Sequence, residues 1–199
     1  MKQIFVFVAL ITILSSSSCD PDNKDIFNLE NVKLYATLSS SNTAISLGDT
    51  MKINLSLPDT VVSNTGRIYV QTLQKAQFYM RINKIDTVTI GRATLINQPA
   101  YWVTKGSISP TNSFDFEFSN NLKPYGVIIN FKPAEKGIYY LEVVSQAGQL
   151  KTNNSYEARL IVNFNVPDKH INLASPYLGT EWTNEAMTRE FGIYVFRVN

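Results

Sequence analysis

Met51-Lys52-Ile53-Asn54-Leu55-Ser56-Leu57 alternates apolar and polar residues without a break, and Pro58 follows it. Successive side chains of a strand point to opposite faces, so this spacing predicts a strand with one face buried and one in water. Proline cannot donate to a sheet ladder, and Pro58 closes the run. The same period recurs on both sides. Upstream, Val32, Leu34, Ala36 and Leu38 alternate with Lys33, Tyr35 and Thr37; downstream, Ala76, Phe78, Met80 and Ile82 alternate with Gln77, Tyr79, Arg81 and Asn83. Turns are predicted at Gly48-Asp49 and at Asn64-Thr65-Gly66.

Shorter strands are predicted over Thr87–Ile90, Ala93–Asn97 and Tyr101–Thr104. Phe114, Phe116 and Phe118 mark one face of a further strand, and Val127, Ile129 and Phe131 the next, ending at Pro133. Ile138–Val144 and Gly192–Val198 read as strands. A long one is predicted over Tyr156–Val166, with Ala158, Leu160, Val162, Phe164 and Val166 inward. Many short strands at this spacing point to an all-β sandwich or barrel. One stretch breaks the pattern: between Asp168 and Glu190 lie Pro176, Gly179 and a short helix predicted over Thr180–Glu190. Thr180 suits its cap, and Trp182 and Ala186 fall one turn apart on one side.

Composition agrees with strands. The 199 residues include 11 Phe and 10 Tyr, with many Val, Ile and Thr, the types that fit a pleated surface. Eighteen basic and 16 acidic residues leave a formal charge of +2, not the strongly basic balance of a nucleic-acid-binding domain. With a single cysteine, no intrachain disulfide is available, and core burial must carry stability.

A local signature narrows the sandwich. Glu135-Lys136-Gly137-Ile138-Tyr139-Tyr140-Leu141 resembles the E–F corner of immunoglobulin-like domains, Asp-x-Gly-x-Tyr-x-Cys. Gly137 and Tyr139 match, Glu135 stands for the aspartate, and Leu141 replaces the cysteine. The resemblance implies an immunoglobulin-like antiparallel β-sandwich, with extra strands and a helical insertion near the C-terminus. It also implies that the Tyr139 hydroxyl bonds back to upstream backbone, a structural role.

The first residues read as an address. Lys2, an apolar run from Ile4 to Leu14, and Ser15 to Ser18 precede Cys19; polar residues from Asp20 to Asp25 follow it. A positive start, a short apolar stretch and small residues before a cut mark a secretory signal, and the run is too short to span a bilayer. Ser16-Ser17-Ser18-Cys19 resembles the lipobox of bacterial lipoproteins in its serine-rich, Bacteroidota-type form. That resemblance implies cleavage before Cys19, a diacylglycerol on its sulfur and a localisation in the cell envelope, at the outer membrane. Residues 1–18 are then signal, 19–30 a lipidated tether and 31–199 one β-sandwich domain. Acidic residues just after Cys19 resemble surface-export signals of the same lipoproteins. Asp49-Thr50-Met51, Asp59-Thr60-Val61 and Asp86-Thr87-Val88 resemble their O-glycosylation motif, which implies glycans on Thr50, Thr60 and Thr87; Asp-Thr is also a natural turn pair.

Catalytic types are scarce. His170 is the only histidine, so zinc sites built on several histidines or thiolates are excluded. No Gly-x-Ser-x-Gly elbow accompanies it, and His170 reads as a solvated loop residue. Acylated, Cys19 is no nucleophile. Asp20 to Asp25 lacks the glycine and terminal glutamate of an EF-hand. Gly137 and Gly148 stand alone, with no phosphate-binding loop, and no cofactor or metal is expected. Asp115 and Glu117 share a strand face, the one arrangement that suits a small carboxylate hydrolase, but the three phenylalanines around them explain the pattern as a half-buried strand.

Residues suited to recognition fall in two places: Tyr101 with Trp102, and Tyr177, Glu181, Trp182 and Glu185 in the late insertion. Aromatic faces stack on sugar rings or anchor protein partners, while carboxylates bond hydroxyls; core packing is the competing role for both tryptophans. The expected function is a lipid-anchored, non-catalytic binding protein for a glycan or an envelope protein. The alternative is a subunit of a surface filament or envelope complex joined by strand exchange, with Tyr156–Val166 and Gly192–Val198 as the edges.

Overall fold

The structure is a computed structural model that describes residues 31–199 except 41–42, 64–65, 70–74, 99, 110–113, 119–124, 152–155 and 189–191. The signal segment, Cys19 and the Asp20–Glu30 tether lie outside the described residues. The chain is mostly β with one helix, and its sheets are open and mixed, compatible with a sandwich.

In one sheet, β8 (Tyr101–Lys105), β11 (Tyr125–Phe131), β3 (Met51–Leu57) and β1 (Asn31–Leu38) lie side by side. In the other, β1 is followed by β13 (Tyr156–Phe164), β12 (Gly137–Lys151), β6 (Lys75–Ile85), β10 (Asp115–Glu117) and β9 (Ser107–Ile108). β1 belongs to both: its first six residues pair in parallel with β13, Asn31 with Arg159 through Ala36 with Phe164, and its end pairs antiparallel with β3. β14 (Ile193–Val198) pairs with the first half of β12 and, in parallel, with the short β2 (Ala44–Ile45). β7 (Ala93–Leu95) folds back on β6, while β4 (Thr60–Ser63) and β5 (Gly66–Tyr69) form a separate hairpin. The two parallel pairings correct the expectation of a purely antiparallel sandwich. They arise because β1 changes partners and β14 returns along β12.

The main core lies between the sheets. Met51, Ile53, Leu55 and Leu57 are all buried, and so are Phe78, Met80 and Ile82, as the alternation predicts. Phe131 of one sheet meets Tyr139 and Phe196 of the other at 5.7 and 6.2 Å between ring centroids. Tyr139 donates from its hydroxyl to the Glu135 carbonyl at 2.8 Å, the bond that the corner resemblance implies. A second cluster sits on the opposite side of the β12 sheet: Ile85, Ile138, Tyr140, Ile193 and Val195 are covered by Ile171, Ala174 and Ala186. The last of these belongs to α1 (Ser175–Thr188), which starts earlier than predicted but is broken at Gly179, where φ is 86°. Trp182 and Ala186 do face the same side, toward the sheet.

Two further expectations are corrected. Thr87–Ile90 is a turn, not a strand: one carboxylate oxygen of Asp86 accepts from the backbone N–H groups of Val88 and Thr89, and Gly91 follows at φ 78°. Val88 and Ile90 have the side chains of a strand, yet stand 90% and 75% exposed. His170 is not solvated. Its side chain is 13% exposed, its ring lies 5.6 Å from that of Tyr194, and its Nδ1 is 3.3 Å from Asp168. The two strands of the strand-exchange reading have partners along part of their length. β13 is bonded by β1 and β12, and the outward N–H groups of Val195, Arg197 and Asn199 donate to Lys169, Thr43 and Ile45.

Candidate functional site

The late insertion forms a groove. Trp182 of α1 stands edge-on to Tyr140 of β12, 5.5 Å between ring centroids, and Glu181 and Glu185 line the same hollow of about 380 Å³ with Leu178, Gly91 and Ala93. Helical spacing explains the pairing: Glu181 and Glu185 are one turn apart beside the Trp182–Ala186 face that packs on the sheet. Ala186 is 1% exposed, so the packed side is closed, while both glutamates are exposed. Tyr177 is half-buried in the cluster beneath and contributes its carbonyl, which accepts from the Gly91 N–H at 2.7 Å. That bond ties the turn after β6 to α1 and closes one wall of the groove. Of the four insertion residues singled out from sequence, three line one hollow and the fourth supports it.

Tyr101 and Trp102 are separated by the pleat. Tyr101 is 2% exposed and packs on Phe114 and Phe116, 6.4 and 6.0 Å between ring centroids, so it is a core residue. Trp102 is 40% exposed on the other side of β8. A shallow hollow of about 350 Å³ runs beside them, with Gln98 and Ser107 on its walls.

A third cleft, about 440 Å³, lies between the corner before β12 and the β6–β7 turn, with Lys84, Asp86, Phe131, Glu135 and Tyr139 among its walls. Its polar groups are engaged with one another. Lys84 pairs with Glu135 and holds that carboxyl below its usual range, first through the hydrogen bond and then through charge. Asp86 is held low by the Thr89 and Val88 N–H groups. Burial pushes the Tyr139 phenol up. These interactions pin the corner before β12 and the turn after β6.

Asp115 and Glu117 flank the buried Phe116 on β10, as the half-buried strand reading expects, and Glu117 accepts from the Ser107 hydroxyl at 3.2 Å. Among the described residues, no three His, Cys, Asp or Glu side chains converge as metal ligands would. Thr50 and Thr87 are exposed and Thr60 is half-exposed. No helix among the described residues is long and apolar enough to cross a membrane.

The sheet side of the groove, Tyr140 with Gly91 and Ala93, was not visible in the sequence. These residues lie far along the chain from Trp182, and only the pairing of β6 with β12 brings them together. The Tyr139-Tyr140 pair held a partial signal: on one strand, one ring must face the main core and the other the opposite side.

No protein-family model matches the chain, and no curated protein matches it either.

Proposed function

We propose that the chain is a lipid-anchored, non-catalytic binding protein of the cell envelope or surface, and that the Trp182 groove takes a glycan. Residues 1–18 serve as signal, residues 19–30 as lipidated tether, and residues 31–199 as one immunoglobulin-like sandwich. The sheet order supports the last point, because β8–β11–β3–β1 faces β13–β12–β6 as the two sheets of an immunoglobulin domain face each other, and the Tyr139 bond sits at the matching corner.

The observation that carries the binding role is the convergence of Trp182, Tyr140, Glu181 and Glu185 on one hollow. An indole edge held by a second ring keeps a fixed aromatic surface for the C–H face of a sugar, and two carboxylates beside it accept from ring hydroxyls. A hollow of about 380 Å³ is within the range of small-ligand sites.

Calorimetric titration of the purified chain with a panel of neutral and amino-sugar oligosaccharides tests this. At least one is expected to bind, with loss of binding in Trp182→Ala and in Glu181→Gln with Glu185→Gln. Binding unchanged in both variants, or turnover of the oligosaccharide, overturns the reading. Cys19→Ser is expected to release the protein from the membrane fraction.

A further inference from the structure

The outer side of the β8–β11–β3 sheet carries a second set of recognition groups, distant from the groove in both place and charge. Trp102 is paired across the sheet with Asn130, and Asn130 with Lys52. In the next outward row, Ile128 faces Asn54, and Asn54 faces Thr37 at the end of β1. Cross-strand partners share a face, and neighbouring strands lie about 4.8 Å apart, so Trp102 and Lys52 sit roughly 10 Å apart on one surface. Asn130 is held in place by a bond from its Nδ2 to the Thr104 hydroxyl at 3.2 Å. Lys132, just past β11, is exposed and is the next outward position after Asn130.

The charges carried by the strands of this sheet have one sign. β3, β8 and β11 contain Lys52 and Lys105 and not one Asp or Glu, and the only charge on β1 is Lys33. The nearest acids along the chain, Asp49 and Asp59, stand beyond the two ends of β3. The sheet therefore presents the exposed Trp102 indole, the Asn54 amide, the Ser56 and Thr37 hydroxyls and the Lys52 and Lys132 ammonium groups, with Asn130 buried between Trp102 and Lys52.

We propose that this face binds an anionic polysaccharide, a chain of carboxylate- or sulfate-bearing sugars. The Trp102 ring stacks on a sugar, Lys52 and Lys132 pair with its acid groups, and Asn54 with Ser56 bonds its hydroxyls. An open sheet suits a polymer better than a pocket does, because the chain runs past both ends of the contact. A phospholipid surface fits less well: one indole shares the face with the uncharged polar side chains of Asn54, Ser56 and Thr37, and each lysine near an anionic membrane contributes only about 1 kcal/mol.

The full chain carrying Cys19→Ser is run through native gels containing polygalacturonate, dextran or no polymer. Polygalacturonate is expected to retard it and dextran is not, with retardation fading as salt screens the lysines. Trp102→Ala is expected to weaken retention about fivefold, the scale of one stacked ring, with Trp102→Phe retaining most of it. Lys52→Glu combined with Lys132→Glu is expected to abolish it. Met187→Ala, at an exposed position on α1 at the other side of the molecule's sheets, is expected to leave retention unchanged. No retardation by polygalacturonate, or retention insensitive to Trp102→Ala and to the lysine reversals, overturns the proposal. So does cosedimentation with phosphatidylglycerol vesicles in place of polymer binding.

Discussion

The outer side of β12 and β14 is covered beside α1, whereas on the outer side of β3 and β8 side chains stand in water, with β11 between them buried at every position but Ile128. On the first, Ile85, Ile138, Tyr140, Ile193 and Val195 meet α1 and the turn before it; on the second, Lys52, Asn54, Ser56 and Trp102 are exposed. The strands themselves record the difference. β3 alternates strictly between buried and exposed, while β14, Ile193–Val198, is buried at every position but Arg197. A strand covered on both sides reads as a continuous apolar run, and a half-covered one as alternation. The tryptophans follow suit: Trp182 is part of the cover, and Trp102 stands on the bare side.

A charge placed on each side breaks or sustains this contrast most strongly. Ala186→Asp puts a carboxylate among Ile171, Ala174 and the ring of Trp182, and is expected to cost about 3 kcal/mol or more. Asn54→Asp on the bare face is expected to stay within about 0.5 kcal/mol. Midpoints of urea unfolding measure both; equal losses would mean that α1 does not seal the sheet.

A smaller effect is expected at alkaline pH, where the cover's first turn meets the main core. Burial, and secondarily the charge of Asp168, pushes the Tyr194 phenol from 10.0 up to about 12. A raised folded value means that the stabilisation is complete below the unfolded value near 10 and is lost as pH climbs through about 12. The full loss is on the order of 2 kcal/mol. Thermal midpoints between pH 9 and 12 are expected to fall less steeply in Tyr194→Phe than in the parent chain.

The smallest effect is at acid pH. Asp86 and Asp168 are held below their usual 3.8 mainly by backbone N–H groups, and both lie in turns that frame the cover. Depressed values mean that the support is present above the unfolded value and is lost as pH falls through the folded one. The bare sheet's strands hold no carboxylate. Hydrogen-exchange protection at the Gly91 amide, bonded to Tyr177, is therefore expected to drop between pH 5 and pH 3 while that of β3 amides holds.

Most of the strand positions were legible because burial on one side imprints a two-residue period, as in Met51–Leu57 and Ala76–Ile82. Tyr139 was legible because its corner is a local motif, and the helical face of Trp182 and Ala186 because its spacing is local too. What failed depended on partners. Val88 and Ile90 have strand chemistry, but the Asp86 carboxylate captures the backbone first. The lone histidine looked solvated because nothing nearby in the chain indicates Tyr194, 24 positions on, as its neighbour. The groove was half visible for the same reason: its helix side is contiguous, and Tyr140 with Gly91 arrives from elsewhere. Tyr101 and Trp102 are adjacent in sequence and suggest one site, yet the pleat sends one into the core and the other to the bare face.

The parallel pairing of β1 with β13 has a mechanical consequence. A pull on the chain before residue 31, directed along β1, does not peel its bonds one at a time. It slides β1 against β13 and strains all six registered positions, Asn31 through Ala36, together. Antiparallel pairs with β3 then add resistance at the strand's far end. The start of β1 is thus a shear clamp, suited to holding the fold against tension applied along the chain from its N-terminal side.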